Sequence, residues 1–262
     1  MAEAAAPVLL EIQGVSKKFG SVVVAENLSL TVCPGDIVGI VGPNGAGKTS
    51  LFNLISGDLA PDSGEIRFAG QVITRAGPTA RCRLGIGRTY QVPRPFGDMT
   101  VFENVLVAVQ QGGGLRRRSS YLLAADVLER AGLAGEANIA AERLGLLQRK
   151  RLEMARALAT RPQLLLLDEV AGGLTDAEVG GLLRIVAAVR AEGIAVLWIE
   201  HVMRALTAAV ERMICLAGGA FIGDGAPAEV LADPAVREVF LGTEVTTALT
   251  GPAATKATRE GG

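Results

Sequence analysis

Two short stretches of this chain combine residue types that do phosphate chemistry. The first is Gly42, Pro43, Asn44, Gly45, Ala46, Gly47, Lys48 and Thr49, followed by Ser50. It fits G-x-x-x-x-G-K-[ST], directly after an apolar run and before a helical pattern. Glycines let successive backbone N–H groups turn inward around phosphate oxygens, and the following helix presents its positive N-terminus. Lys48 can neutralise the β- and γ-phosphates of a nucleoside triphosphate, and the Thr49 hydroxyl can ligate Mg²⁺. The second stretch is "LLLLDEV", in which Asp168 can hold the Mg²⁺ shell and Glu169 can orient an attacking water. An acidic pair after an apolar run is by itself a common helix start. Beside the glycine-rich loop it reads as the other half of a nucleoside-triphosphatase site.

Two single residues extend that set. His201, the sole histidine, ends the apolar run "IAVLWIE", and the carboxyl end of a parallel strand is the ligand-binding edge. Gln91, in "GRTYQVPRPF", lies between a first group of strands and a helical stretch. Its local sequence leaves open whether it is functional or a solvated loop amide.

The elements that must position these residues can be read from periodicity. Val8–Val15 and Ala25–Val32 alternate apolar and polar residues, as half-buried strands do. Ile37–Gly42 is continuously apolar, as expected of a strand covered on both faces. Residues 61–73 read as a turn and a strand. From Thr100 to Thr160 the spacing is mostly helical, interrupted by the loop-like "QQGGGLRRRSS". Leu164–Leu167 and Ile194–Glu200 are two more buried strands, with a helical pattern over Ala177–Arg190 between them. That βαβ unit implies a parallel sheet. Residues 244–262 have little to bury and read as a disordered tail.

The 262 residues suffice for one large domain or two small ones. A formal net charge of −1 gives no bulk attraction to nucleic acid, and the Arg116–Arg118 run reads as a solvated loop. Cys33, Cys82 and Cys215 lack metal-ligand spacing and read as free thiols in a reducing compartment. The amino end has no basic region, and no apolar stretch approaches the ~18 residues of a membrane span. A soluble cytoplasmic protein is expected, with any membrane role supplied by a partner.

Taken together, these residues resemble the ATP-binding subunit of ABC transporters, over about Val8 to Gly242. The resemblance implies an α/β P-loop NTPase: a RecA-like parallel core, an antiparallel β subdomain, and a helical subdomain of about 94–160 inserted in an ATPase domain of 7–243. It implies ATP and Mg²⁺ as ligands, with Gly42–Thr49 as Walker A and Asp168 and Glu169 as Walker B and catalytic glutamate. Gln91 matches the Q-loop glutamine, which senses γ-phosphate and joins Thr49 and Asp168 around Mg²⁺, and His201 the switch histidine. Phe19, in "KKFG", matches the aromatic that stacks on adenine, although alone it reads equally as core. "GIGRTYQ", "MTVFENVLVA", "KRLEMARAL", "IEHVM" and "GAPAEVLADPAVREVFLG" look like the branched-chain amino acid importers' ATPases, a group shared with urea and amide importers. Lipopolysaccharide-export ATPases are near relatives.

The family usually has L-S-G-G-Q, or a near variant such as L-A-Y-G-D, where this chain has Leu144, Gly145, Leu146, Leu147 and Gln148. There the serine hydroxyl and glycine N–H groups bind the γ-phosphate of ATP held by the other subunit. Gly145 removes the hydroxyl, forfeiting roughly 0.5–1.5 kcal/mol. Leu147 puts a branched side chain where close backbone approach and a positive φ are expected. Val170, Thr175 and Val202 also depart from the usual letters. Residues serving this subunit's own nucleotide are intact, and those reaching across the dimer are eroded. The expected partners are therefore permease subunits, a second ATPase subunit in a heterodimer, and, indirectly, a periplasmic solute-binding protein. The chain is expected on the inner membrane face through the permease, gripping it near Gln91–Val105 with Phe96, Met99 and Phe102. A nucleotide-gated clamp does not need Glu169 and His201. ABC ATPases acting on nucleic acid carry tandem domains or long insertions, and no N-K-x-D motif supports a GTPase.

Overall fold

In the antiparallel part of the fold, β1 (Leu10–Phe19) pairs with β2 (Val22–Val32), and both strands outrun their alternation. Register shifts between Ile12 and Val15, and again around Lys17, are the reason. A bulge throws successive side chains out of phase while the ladder continues. After β3 (Ile37–Val41) and α1 (Lys48–Ser56), the single strand expected over 61–73 is a hairpin of β4 (Ser63–Phe68) and β5 (Gln71–Val72). Its two-residue turn is Ala69–Gly70, with φ of 47° and 77°. Such turns usually carry Asn-Gly or Asp-Gly, so the alanine conceals it. These strands form a sheet in the order β2-β1-β4-β5. The chain is seen in a computed structural model that describes residues 8–115 and 117–240. The expected tail and Arg116 lie outside the described residues.

The remaining elements are α2 (Pro78–Leu84), β6 (Ile86–Arg88), α3 (Val101–Gln111), α4 (Arg117–Arg130), two 3-10 turns, α5 (Leu146–Ala159), β7 (Leu164–Asp168), α6 (Asp176–Ala191), β8 (Ala195–Ile199), α7 (Met203–Thr207), β9 (Arg212–Ala217), β10 (Ala220–Gly225) and α8 (Pro227–Ala232). The loop expected over Gln110–Ser120 is shorter, because Gln110 and Gln111 continue α3 and Arg117 already opens α4. Thr100 with Glu103, and Thr175 with Glu178, form capping boxes that start α3 and α6.

The second sheet runs β10-β9-β3-β8-β7-β6, parallel except for β10. Every residue of β3, β7 and β8 is buried. Leu164, Leu166, Ala195 and Leu197 face α1 and the antiparallel sheet, while Leu165, Leu167, Val196 and Trp198 face α3–α6. Two covered faces explain the unbroken apolar runs. The carboxyl ends of β3, β6, β7 and β8 meet at one edge, where the chain places Gly42, Thr89–Gln91, Asp168–Glu169 and Glu200–His201.

One buried side chain anchors the helix behind that edge. Arg81 is 1% exposed and uses all five donors on backbone carbonyls: Nε on Ala76, one terminal nitrogen on Leu54 and Ile55, the other on Ile73 and Thr74. Leu54 and Ile55 belong to the last turn of α1, whose carbonyls have no partner within the helix. Burial pulls the Arg81 pKa down to about 10, which still leaves it charged at neutral pH. Arg81→Met leaves those acceptors buried and unmatched, so it should lower unfolding free energy by about 3 kcal/mol. Urea denaturation checks this, and a loss below about 1 kcal/mol contradicts the anchoring role.

Candidate functional site

The glycine-rich loop is wedged between two strands. A Cβ at Gly42 would stand 2.0 Å from the Leu216 carbonyl oxygen, and one at Gly47 would stand 2.3 Å from that of Val24. Both are therefore glycine because backbone approaches backbone. Gly45, with φ of 80°, has nothing within 4 Å and forms the open crest of the loop. Lys48 donates from Nζ to the carbonyls of Gly42 (2.6 Å) and Pro43 (2.9 Å), so its ammonium lies inside the loop. Burial lowers its pKa, opposed by the charges of Glu169 and Asp168. Thr49 and Ser50 sit in the first turn of α1.

Two of the residues singled out in sequence converge on the carboxylate of a third. Gln91 Nε2 donates to Glu169 Oε2 at 2.5 Å, and His201 Nδ1 lies 3.7 Å from the same oxygen. Glu169 itself has φ of 49°, while its N–H still reaches the Ile199 carbonyl at 2.9 Å. The strand pairing thus runs one residue past β7, and the backbone then turns so that the carboxylate stands clear of the sheet edge.

Asp168 lies deeper, 4% exposed. Its N–H donates to Thr89 Oγ1 at 3.1 Å, and its Oδ2 lies 3.6 Å from an Arg88 nitrogen. Arg88 also donates to Asn53, Ser56 and Asp58. Burial raises the Asp168 pKa; Glu169 adds to the rise, while Arg88 and Lys48 oppose it. Among the described residues no group of three or more His, Cys, Asp or Glu could hold a metal. Mg²⁺ needs none, since one or two protein oxygens with phosphates and waters complete its shell. Asp168 and the Thr49 hydroxyl supply such oxygens, so the donor set fits.

Three positioning groups went unnoticed in the sequence. Glu200, 2% exposed, accepts from the N–H groups of Ala171, His201 and Val202. Lys150 of α5, also buried, donates to the carbonyls of Glu169 (3.1 Å) and Gly172. Glu153 of α5 accepts from the Arg94 N–H at 2.6 Å and from Arg156, which also donates to the Arg94 carbonyl and lies over the Phe96 ring. Glu200 closes an apolar run at the same edge as Asp168, and that parallel is its one legible signal.

The five residues 144–148 depart from expectation in one respect. Helix α5 starts at Leu146, so Leu147 is helical and outside the residues of positive φ. The helix opens on Gly145 with no side-chain cap, and Gln148 Oε1 stands 2.9 Å from where a Cβ at 145 would lie. Leu144 is buried and Leu146 half exposed. Phe19, at the end of β1, is 54% exposed beneath the Lys17 ammonium, so it is not core. Phe96 and Met99 are exposed, but Phe102 packs partly into the core and against Tyr121, and Val105 is fully buried.

The raised Asp168 pKa has a pH consequence. A carboxyl that binds its proton more tightly in the folded chain contributes stability below the ordinary value of 3.8. That contribution is lost as pH rises through the folded value. Asp168→Asn does not titrate, so its melting temperature should exceed the native one at pH 7 and the gap should shrink toward pH 4. A gap independent of pH, or a native chain more stable at pH 7, contradicts this.

Known proteins resemble this chain in sequence and in fold. The ABC transporter family model matches residues 25–172, and that of the branched-chain amino acid ATP-binding cassette transporter matches residues 222–246. The high-affinity branched-chain amino acid transport ATP-binding protein BraF of Pseudomonas aeruginosa is 36% identical over 249 residues, covering 89% of this chain and 98% of its own. The lipopolysaccharide export system ATP-binding protein LptB of Acidithiobacillus ferridurans is 35% identical over 236 residues, covering 90% and 98%. Among solved structures, the ADP conformation of MJ1267, an ATP-binding cassette of an ABC transporter, superposes with a TM-score of 0.80 at 29% identity over 90% of this chain and 99% of that one. The chain belongs to the ABC transporter ATPase family.

Proposed function

We propose that this chain hydrolyses ATP to drive an ABC importer for branched-chain amino acids or related small polar solutes. The convergence of Gln91 and His201 on the Glu169 carboxylate, beside Lys48, carries the hydrolytic reading. Bound Mg²⁺ would supply charge neutralisation at the phosphate oxygens, held by Thr49 and Asp168. Lys48 and the N–H groups of Gly42–Thr49 bind phosphate, and Phe19 offers an exposed ring to adenine. Glu169 orients and deprotonates the attacking water, Gln91 holds that carboxylate in place, and His201 faces the γ-phosphate. The match over residues 222–246 favours the amino-acid class over lipopolysaccharide export, since that segment has no part in nucleotide binding.

The helical subdomain of about 94–160 is supported by α3, α4 and α5 all falling between β6 and β7. Among the described residues no helix is long and apolar enough to cross a membrane. Attachment to the inner membrane face therefore falls to permease subunits, and exposed Phe96 and Met99 suit that contact. Phe102 contributes from within, by supporting α3 against α4.

The asymmetry between the two halves of the catalytic machinery supports a heterodimer. The groups around Glu169 are assembled, whereas the start of α5 offers leucines and an uncapped glycine to the nucleotide held by the other subunit. ATPase turnover of the purified chain, alone and mixed with the second ATPase of its transporter, tests this. Slow turnover alone and a rise of about 10-fold or more on mixing are expected, because lost donors at the transition state cost about 10²–10³. Equal, fast turnover alone overturns the heterodimer. Leu147→Gly should accelerate only the site whose ATP is bound by the partner, and acceleration of this chain's own site contradicts the assignment.

A further inference from the structure

The first two turns of α5 touch more than a neighbouring nucleotide. Leu146 and Lys150 are four residues apart and share one helix face. A Cβ added to Gly173 would stand 3.2 Å from Leu146 Cδ2, so the leucine lies on the segment that follows Glu169. One turn further along, the Lys150 ammonium, with only 8% of the residue exposed, donates to the carbonyls of Glu169 and Gly172. From the opposite side, Glu200 takes the Ala171 N–H at 2.8 Å and the N–H groups of His201 and Val202. His201 lies over the same turn, since a Cβ on Gly172 would come within 3.0 Å of its Cε1.

The turn of residues 169–172 therefore lies between a buried cation that binds two of its carbonyls and a buried anion that binds its Ala171 N–H. The backbone conformation held there is costly: φ of 49° at Glu169 is outside the regions open to a glutamate at no expense. Such a conformation persists only when its surroundings over-determine it. Burial lowers the Lys150 pKa, and the charges of Glu200 and Glu169 oppose that shift.

We propose that Lys150 is a positioning residue for hydrolysis, which with Glu200 clamps the 169–172 turn and thereby aims the Glu169 carboxylate. The start of α5 then acts on this chain's own site through Leu146 and Lys150, whatever it contributes across the dimer. The inference rests on Glu169 being the catalytic carboxylate.

The test uses the full-length chain mixed with the second ATPase of its transporter, and compares Lys150→Met, Lys150→Arg and Glu169→Gln. A misplacement of about 1 Å at a reacting group can cost about 10²-fold. Lys150→Met should lower kcat about 10- to 100-fold with KM for ATP nearly unchanged, and Lys150→Arg should restore most of it. Hydrogen exchange on the chain alone should show faster exchange at the amides of 169–172 in Lys150→Met and near-native exchange in Lys150→Arg. Unchanged kcat and unchanged exchange in Lys150→Met overturn the clamp, as does a fall in melting temperature with native kcat per folded molecule. If Glu169→Gln still hydrolyses ATP at the native rate, the catalytic assignment fails instead. Loss of turnover in Glu169→Gln beside native turnover in Lys150→Met rejects the clamp alone.

Discussion

A glutamate held at φ of 49° costs about 1–3 kcal/mol relative to ordinary backbone, so the structure around it must supply the difference. At Glu169 that conformation solves a geometric problem. The strand leading to it is buried on both faces, and its pairing with β8 continues through the Glu169 N–H. A carboxylate continuing in strand geometry would point into one of the two cores. The left-handed turn lifts it over the sheet edge instead, toward Gln91, His201 and the glycine-rich loop. The groups that hold the turn come from elements far apart in sequence: α5, the end of β8, and the segment after β6.

That dependence links the two halves of the molecule. Helix α5 meets the loop carrying Gln91 through Glu153 and Arg156, and meets the turn after Glu169 through Lys150. A movement of α5 is thus felt on both sides of the Glu169 carboxylate. The eroded residues 144–148 stand at the head of the same helix. In the proposed heterodimer their leucines weaken what the chain offers to a second nucleotide, while Leu146 packs against Gly173 within its own subunit.

Much of the nucleotide edge is legible in the sequence, since its residues are continuous: the glycine-rich loop, the Asp168–Glu169 pair and His201 each follow a buried strand directly. Both covered faces of the parallel sheet are implied by runs such as "LLLL". Illegible are the places where backbone geometry departs from letter patterns. The bulges of β1 hide its length, Ala69 conceals the hairpin turn, and β9–β10 shows no alternation that isolates it. Lys150 and Glu200 escape for another reason. A lysine in a basic helical stretch and an acid ending a strand look solvated, and only their contacts, made across 19 and 29 residues of sequence, reveal that they are buried. Leu147 errs in the opposite direction: a family pattern suggested a special φ that an ordinary helical turn does not need.

The proposed heterodimer is an asymmetric pair: a complete site on this chain, activated by the partner, and a partner site poorly activated by Leu144–Gln148. Its most direct measurement is the nucleotide content of the closed dimer after a single round of hydrolysis, with ATP trapped before mixing with Mg²⁺. One ADP and one intact ATP per dimer, the ADP bound to this chain, is the predicted result. Two ADP per dimer formed at equal rates contradicts it.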